Sequence, residues 1–167
     1  MVDQENIARR LTEPDVIPRQ PLSDHELTHF EREFRLTLPE QLVAWLKLSN
    51  GILLSGGYLY PLDGDSSADS IAQSIREHPE ILGSGMLPVA GDGCGNHYAM
   101  LLKDPRQPIV YVQLEEPDTP AFVVASSIWA LVQFFLLNDT RWWTDKEWAL
   151  QVDPAVAEFA PLGLRWI

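Results

Sequence analysis

MLPVAGDGCGNHYAMLLKDPRQPIVYVQLE, residues 86–115, decides the fold. It divides into three strand-like pieces, MLPVAGD, NHYAMLLK and PIVYVQLE, separated by a glycine-rich turn and an Asp-Pro turn, as in an antiparallel meander. Helical patterns lie on either side of it. Upstream, Ser23 and Glu26 form a capping-box pattern, and Leu27, Phe30 and Phe34 recur at helical spacing, which predicts a helix from Asp24 to about Phe34. A second helix follows in LPEQLVAWLKLSNG (38–51). Pro39 suits its first turn, Leu42, Val43, Trp45 and Leu46 form its inward stripe, and Asn50-Gly51 ends it, with Gly51 as a left-handed C-cap. Downstream, Ser126 or Ser127 caps a third large helix running through Leu137 and apolar on most of its surface.

The remaining segments are shorter. Residues 3–12 predict a leading helix, and PDVIPRQP (14–21) is expected to break any regular element. ILLSGGYLYPL (52–62) reads as one or two short strands interrupted at Gly56-Gly57, and residues 68–78 as a polar amphipathic helix on Ile71 and Ile75. TDKEWALQVDPAVAEFAPLGLRWI (144–167) adds short helical pieces. Helices, then strands, then helices argue an α+β class rather than a wound α/β sheet.

Composition narrows the function classes. A chain of 167 residues at 46% hydrophobic, with six tryptophans, can bury the core of one domain without staples. Its single cysteine makes no internal disulfide, and the first residues carry no apolar signal-peptide core, so a reduced, cytoplasmic setting is expected. The longest apolar run, Ile128 to Leu137, is far shorter than the roughly 20 residues of a membrane-spanning helix. With 24 acidic against 12 basic side chains, the net charge of −12 opposes binding to nucleic acid and to anionic lipid, and favours a basic protein partner.

Taken in order, LTLPEQLVAWLKLSNG (36–51), LYPL (59–62), GDGCGNHYAM (91–100), PIVYV (108–112) and ASSIWALV (125–132) resemble the SMI1/KNR4 (SUKH) superfamily. The resemblance is strongest over residues 23–138, with 139–167 as a C-terminal helical extension of a single domain spanning 1–167. It implies an α+β fold with a curved, mainly antiparallel sheet flanked by helices, and no catalytic residues. Many bacterial members are immunity proteins that bind and block a toxin; eukaryotic members act in cell-wall regulation and signalling. Cys94 departs from the small residue expected in the family's turn.

The turn itself, GDGCGNH, gathers residues that elsewhere carry chemistry. As a phosphate loop it lacks the Lys-Ser/Thr pair and leads into a strand, so no helix N-terminus faces an anion. As a zinc site it offers only Cys94 and His97, and His25, His29 and His78 are read as residues of helical segments. As a thiol hydrolase it would need a depressed cysteine pKa, which neighbouring Asp92 opposes. A glycine turn that positions a strand is the reading that remains. No catalytic, cofactor-binding or metal-ligating residue is assigned.

Partner-binding candidates come from charge and aromatic content. Asp63, Asp65 and Asp69 lie in a Gly/Ser loop, and Glu115, Glu116 and Asp118 just after a strand, where a basic partner can reach them. Trp142, Trp143 and Trp148 stand in a polar context, NDTRWWTDKEW (138–148). They either clamp the C-terminal helices onto the sheet or form an aromatic contact surface. Two functions follow: a non-enzymatic immunity protein that neutralises a basic toxin domain through an acidic surface, or a general interaction module with a host partner.

Overall fold

The computed structural model describes residues 4–54, 57–64, 69–137 and 139–164. The three pieces of 86–115 form strands β4 (Met86–Gly91), β5 (His97–Leu101) and β6 (Ile109–Val112). They pair antiparallel from Met86↔Leu101 to Gly91↔His97, and from His97↔Val112 to Met100↔Ile109. Around them lie β1 (Ile17–Pro18), β2 (Ile52–Leu54), β3 (Gly57–Leu59) and β7 (Pro120–Ala125). The spatial order of the strands is their chain order. Register shifts at Pro88/Ala90 in β4 and along the β6–β7 pair bend the sheet.

Every residue of β4 and β6 is buried, as are four of the five in β5, so these strands have no solvent face. Both faces therefore need a cover. On one face Leu87, Met100, Ile109, Tyr111 and Val124 join a core built on α6 (Ile128–Leu137). On the other, Met86, Ala99, Val110, Val112 and Val123 pack against Ile81 of α5 (Pro79–Gly83) and against Val156 and Phe159 of a 3₁₀ helix (Pro154–Leu162).

Local sequence explains the helices. The capping box forms at α2 (Asp24–Phe34): the Ser23 amide donates to Glu26 Oε2 at 2.8 Å, while Ser23 Oγ accepts from the Glu26 amide. In α3 (Glu40–Leu46), Leu42, Trp45 and Leu46 face inward, and Trp45 meets Trp129 of α6 edge-on at 6.2 Å. Eight of the ten residues of α6 are buried. Its first turn is closed by Ser127 Oγ, which accepts from the Ala130 amide, and by Gln41 Oε1, which accepts from the Ile128 amide. Ser126 serves elsewhere: its amide and hydroxyl both donate to buried Asp153, at 2.7 and 2.6 Å, fastening the C-terminal segment to the β7–α6 corner.

Helices α1 (Gln4–Arg10), α7 (Arg141–Thr144) and α8 (Lys146–Val152) complete the set, with α4 (Ile71–Glu77) capped by Ser70. Four of the seven residues of α4 are buried, so it is less polar in its setting than its sequence suggests. Residue 68 and Gly56 lie outside the described residues. Beyond α8, Leu164 bridges Val123, and the Val123 amide donates to Gly163 O at 2.8 Å, covering the outer edge of β7.

Two expectations are corrected, and one strand is added. PDVIPRQP does not break all regular structure, because Ile17 and Pro18 pair with Leu53 and Ile52 as an edge strand, where a missing N–H is tolerated. PAFVVA (120–125) forms β7, a strand that the sequence pattern did not indicate. Gly51 is not the cap of α3: that helix ends at Lys47 in ordinary right-handed geometry, and Pro39 stands at its N-cap. Gly51 has φ +88° for a different reason. It brings the chain against the exit of β3, where an added Cβ would lie 2.6 Å from Leu59 O and 2.8 Å from Pro61 N.

Gly51→Val therefore combines a forbidden φ with a backbone clash and is expected to cost about 2–4 kcal/mol. Thermal or urea unfolding measures it, and a variant as stable as the parent would contradict the close approach.

Candidate interaction surface

In a meander, alternate connections lie at the same end of the sheet. The β4–β5 turn and the β6–β7 loop consequently share one end, whereas the chain leaves β3 at the opposite end, beside Asn50.

The β4–β5 turn is wound around one carboxylate. Asp92 Oδ1 accepts from the Cys94 amide (2.7 Å) and the Asn96 amide (3.2 Å), and Oδ2 from Asn96 Nδ2 (2.8 Å) and the Tyr111 hydroxyl (2.8 Å). Gly93 and Gly95 take φ +77° and +98° to let the chain turn back. Burial pushes the Asp92 carboxyl up, but Asn96, the Cys94 amide and Tyr111 together hold it below its ordinary value. Asn96 Oδ1 then accepts from the Leu114 amide at 3.1 Å, tying the β6–β7 loop to the turn. On that loop Glu115, Glu116 and Asp118 are exposed.

An aromatic shelf adjoins the loop. Tyr111 stacks on Phe122 at 5.1 Å, and Trp143 meets both, at 5.4 and 5.9 Å. Trp142 touches Trp143 and stacks on Phe134 of α6 at 5.5 Å. Trp148 packs on Phe134 with the Arg141 guanidinium over its ring. Trp142 and Trp143 thus clamp α7 onto the sheet while remaining half-buried, and Leu114 and Leu137 nearby in sequence are 44% and 48% exposed.

The other candidates lie elsewhere. Asp69 accepts from the Tyr58 hydroxyl beside β3; burial and then Asp69 raise the Tyr58 pKa. Asp63 stands at the opposite end, on the rim of a cleft formed with α2. Asp65 lies outside the described residues. The structure accordingly places Glu115, Glu116 and Asp118 on the loop joining β6 to β7, the two strands whose Tyr111 and Phe122 meet Trp143, and places Asp63 at the other end of the sheet.

His97 is turned away from Cys94. Its Nδ1 shares a 2.9 Å hydrogen bond with the Tyr60 hydroxyl, its ring lies 5.4 Å from His78, and its Nε2 is buried with no partner. Burial, then His78, lowers its pKa, against the opposing pull of Asp69, Asp92 and Glu77. Cys94 is exposed, and its amide serves the Asp92 turn.

The α2 wall of the Asp63 cleft has a signal that does show in the sequence. His25-Glu26-Leu27-Thr28-His29 spaces two histidines four apart, so His25 and His29 share one helical face. The same spacing occurs in zinc hydrolases, where the glutamate acts as a base. Here Glu26 is engaged by the amide and hydroxyl of Ser23. Among the described residues no three His, Cys, Asp or Glu side chains come together as a metal site.

The family model for SMI1/KNR4 proteins (SUKH-1) matches residues 21–133, which run from the approach to α2 into α6. The chain belongs to the SMI1/KNR4 family. That family includes toxin immunity proteins. No curated protein matches this SMI1/KNR4 chain. No helix among its described residues is long and apolar enough to cross a membrane.

Two outcomes follow from this geometry. Cys94→Ser should leave stability within about 0.5 kcal/mol of the parent, because the side chain is exposed; loss of partner binding in that variant would give the thiol a role the structure withholds. The second concerns pH. His97 is held neutral in the fold, so the unfolded chain binds its proton more readily below pH about 6.5. Its stabilisation is complete above that pH and is lost as pH falls toward the lowered folded value. Between about pH 7.5 and 5.5, the parent should lose stability relative to His97→Gln in chemical denaturation. Equal pH slopes would show that His97 does not titrate differently on unfolding.

Proposed function

We propose that this protein is an immunity protein that binds and neutralises a cognate toxin in the cytoplasm, without catalytic turnover or a cofactor. The observation that supports this reading is an exposed acidic loop, Glu115, Glu116 and Asp118, pinned beside a half-buried aromatic shelf of Trp142 and Trp143 on a chain of net charge −12. Half-buried indole rings and nearby carboxylates have the composition of interface hot spots that receive lysine and arginine. The loop is also fixed before any partner arrives, because Asn96 holds Leu114 and Gln113 O accepts from the Glu116 amide. A pre-ordered contact loses little entropy on binding. A basic toxin domain covered at its active surface would be blocked with no chemistry at all.

The test is the association rate with the toxin encoded beside this chain's gene, over a range of salt. Glu115→Lys combined with Glu116→Lys should slow association by roughly tenfold at low salt and flatten its salt dependence. Both residues are exposed, so the melting temperature should hardly move. Equal rates at low salt would remove this loop from the interface. Failure of the parent to bind that toxin would favour a regulatory interaction module instead.

A further inference from the structure

A surface concavity lies remote from the acidic loop. It is a cleft of about 370 Å³ between α2 and the chain that leaves β3, with a floor of Leu22, Phe30 and Leu62. Phe30 and Leu62 are 4% and 3% exposed, so the floor is a fixed part of the core. The walls carry His25, His29, Glu26, Glu33, Asn50 and Asp63, and among the described residues no lysine or arginine lines it.

Most of these polar groups have assigned duties. Glu26 is held by Ser23, Glu33 pairs with Arg76 at 2.6 Å, and Asn50 Oδ1 accepts from the Leu62 amide at 2.7 Å. Asp63 differs: among the described residues its Oδ1 accepts only from the adjacent Gly64 amide, at 3.0 Å, and the residue is exposed. His25 and His29 line the same cleft from one face of α2. Each imidazole offers a flat face on which a planar group can stack.

We infer that this cleft is a docking site for a basic segment of a protein partner, anchored by one arginine. The aliphatic stem lies on Leu22, Phe30 and Leu62, and the guanidinium reaches Asp63 between the histidine rings. Arginine fits better than lysine, because a planar fork can pair with a carboxylate and stack on a ring together, whereas an ammonium is a compact, strongly hydrated charge. The charge complementarity rests on Asp63: among the described residues three carboxylates and no lysine or arginine line the cleft, and while Glu33 is already paired with Arg76, Asp63 has no cationic partner there. This site stands independently of the toxin reading, since it lies at the other end of the sheet from Glu115 and Trp143.

Titration of the isotope-labelled protein with N-acetyl-leucyl-arginine amide, followed by amide NMR shifts, tests the inference. The control is the same peptide with citrulline, which keeps the shape and removes the charge. Saturable shifts should appear along α2 from His25 to Glu33 and at Asp63 and Gly64, with the citrulline peptide roughly tenfold weaker. Asp63→Asn should erase the difference between the two peptides while leaving the melting temperature unchanged. Equal binding of both peptides, shifts confined to residues 114–118 and Trp143, or no saturable shift would each overturn it. None of these outcomes depends on the toxin, so this site and the acidic loop stand or fall separately.

Discussion

The absence of a solvent face on β4, β5 and β6 is the constraint from which the remaining architecture follows. Strands buried on both sides cannot stand as a meander alone, so the chain supplies cover from two directions. Helix α6 fills one side and is itself surrounded by α1 and α3, and residues from α5 and the C-terminal 3₁₀ helix fill the other. Magnitudes favour this packing as the main source of stability. A fully buried Leu, Ile or Phe contributes about 1.5–3 kcal/mol. An exposed ion pair such as Arg76–Glu33 contributes about 0–1 kcal/mol. With its central strands enclosed, the sheet can meet a partner only at its ends, its edges and the outer sides of its helices.

At one end, Asp92 turns that constraint into a defined surface. Its carboxylate takes four donors, one of them the Tyr111 hydroxyl from β6, so the β4–β5 turn cannot move independently of its neighbour. The Tyr111 ring in turn supports Phe122 and Trp143, and Asn96 carries the connection to Leu114. The opening glycine turn therefore acts as a fastener. Its Asp, Asn and glycines serve backbone geometry, which leaves Cys94 exposed and His97 facing the protein interior.

Much of this was legible in the sequence. The three central strands, the Ser23 capping box and the apolar helix through Leu137 follow from period and cap chemistry, which are local. What escaped depends on distant partners. β1 is two residues long and contains a proline, and β7 opens with Pro120 after a turn; both form because a neighbouring strand offers hydrogen bonds. Asn50-Gly51 resembles a helix end, yet the glycine answers to Leu59 and Pro61. The candidate acidic residues were recognisable as exposed charge. Their distribution over opposite ends of the sheet is set by topology, and so is the cleft that Asp63 completes with α2.

The central proposal is that a protein partner meets the end of the sheet where the Asp92 turn fixes the acidic loop, next to the tryptophan shelf. Amide hydrogen exchange of the chain, alone and bound to the toxin encoded beside it, tests this most directly. The account predicts slowed exchange at residues 113–119 and 141–144, with β4 to β6 unchanged because they are already protected. Binding that leaves both of those segments exchanging at their free rates would contradict it.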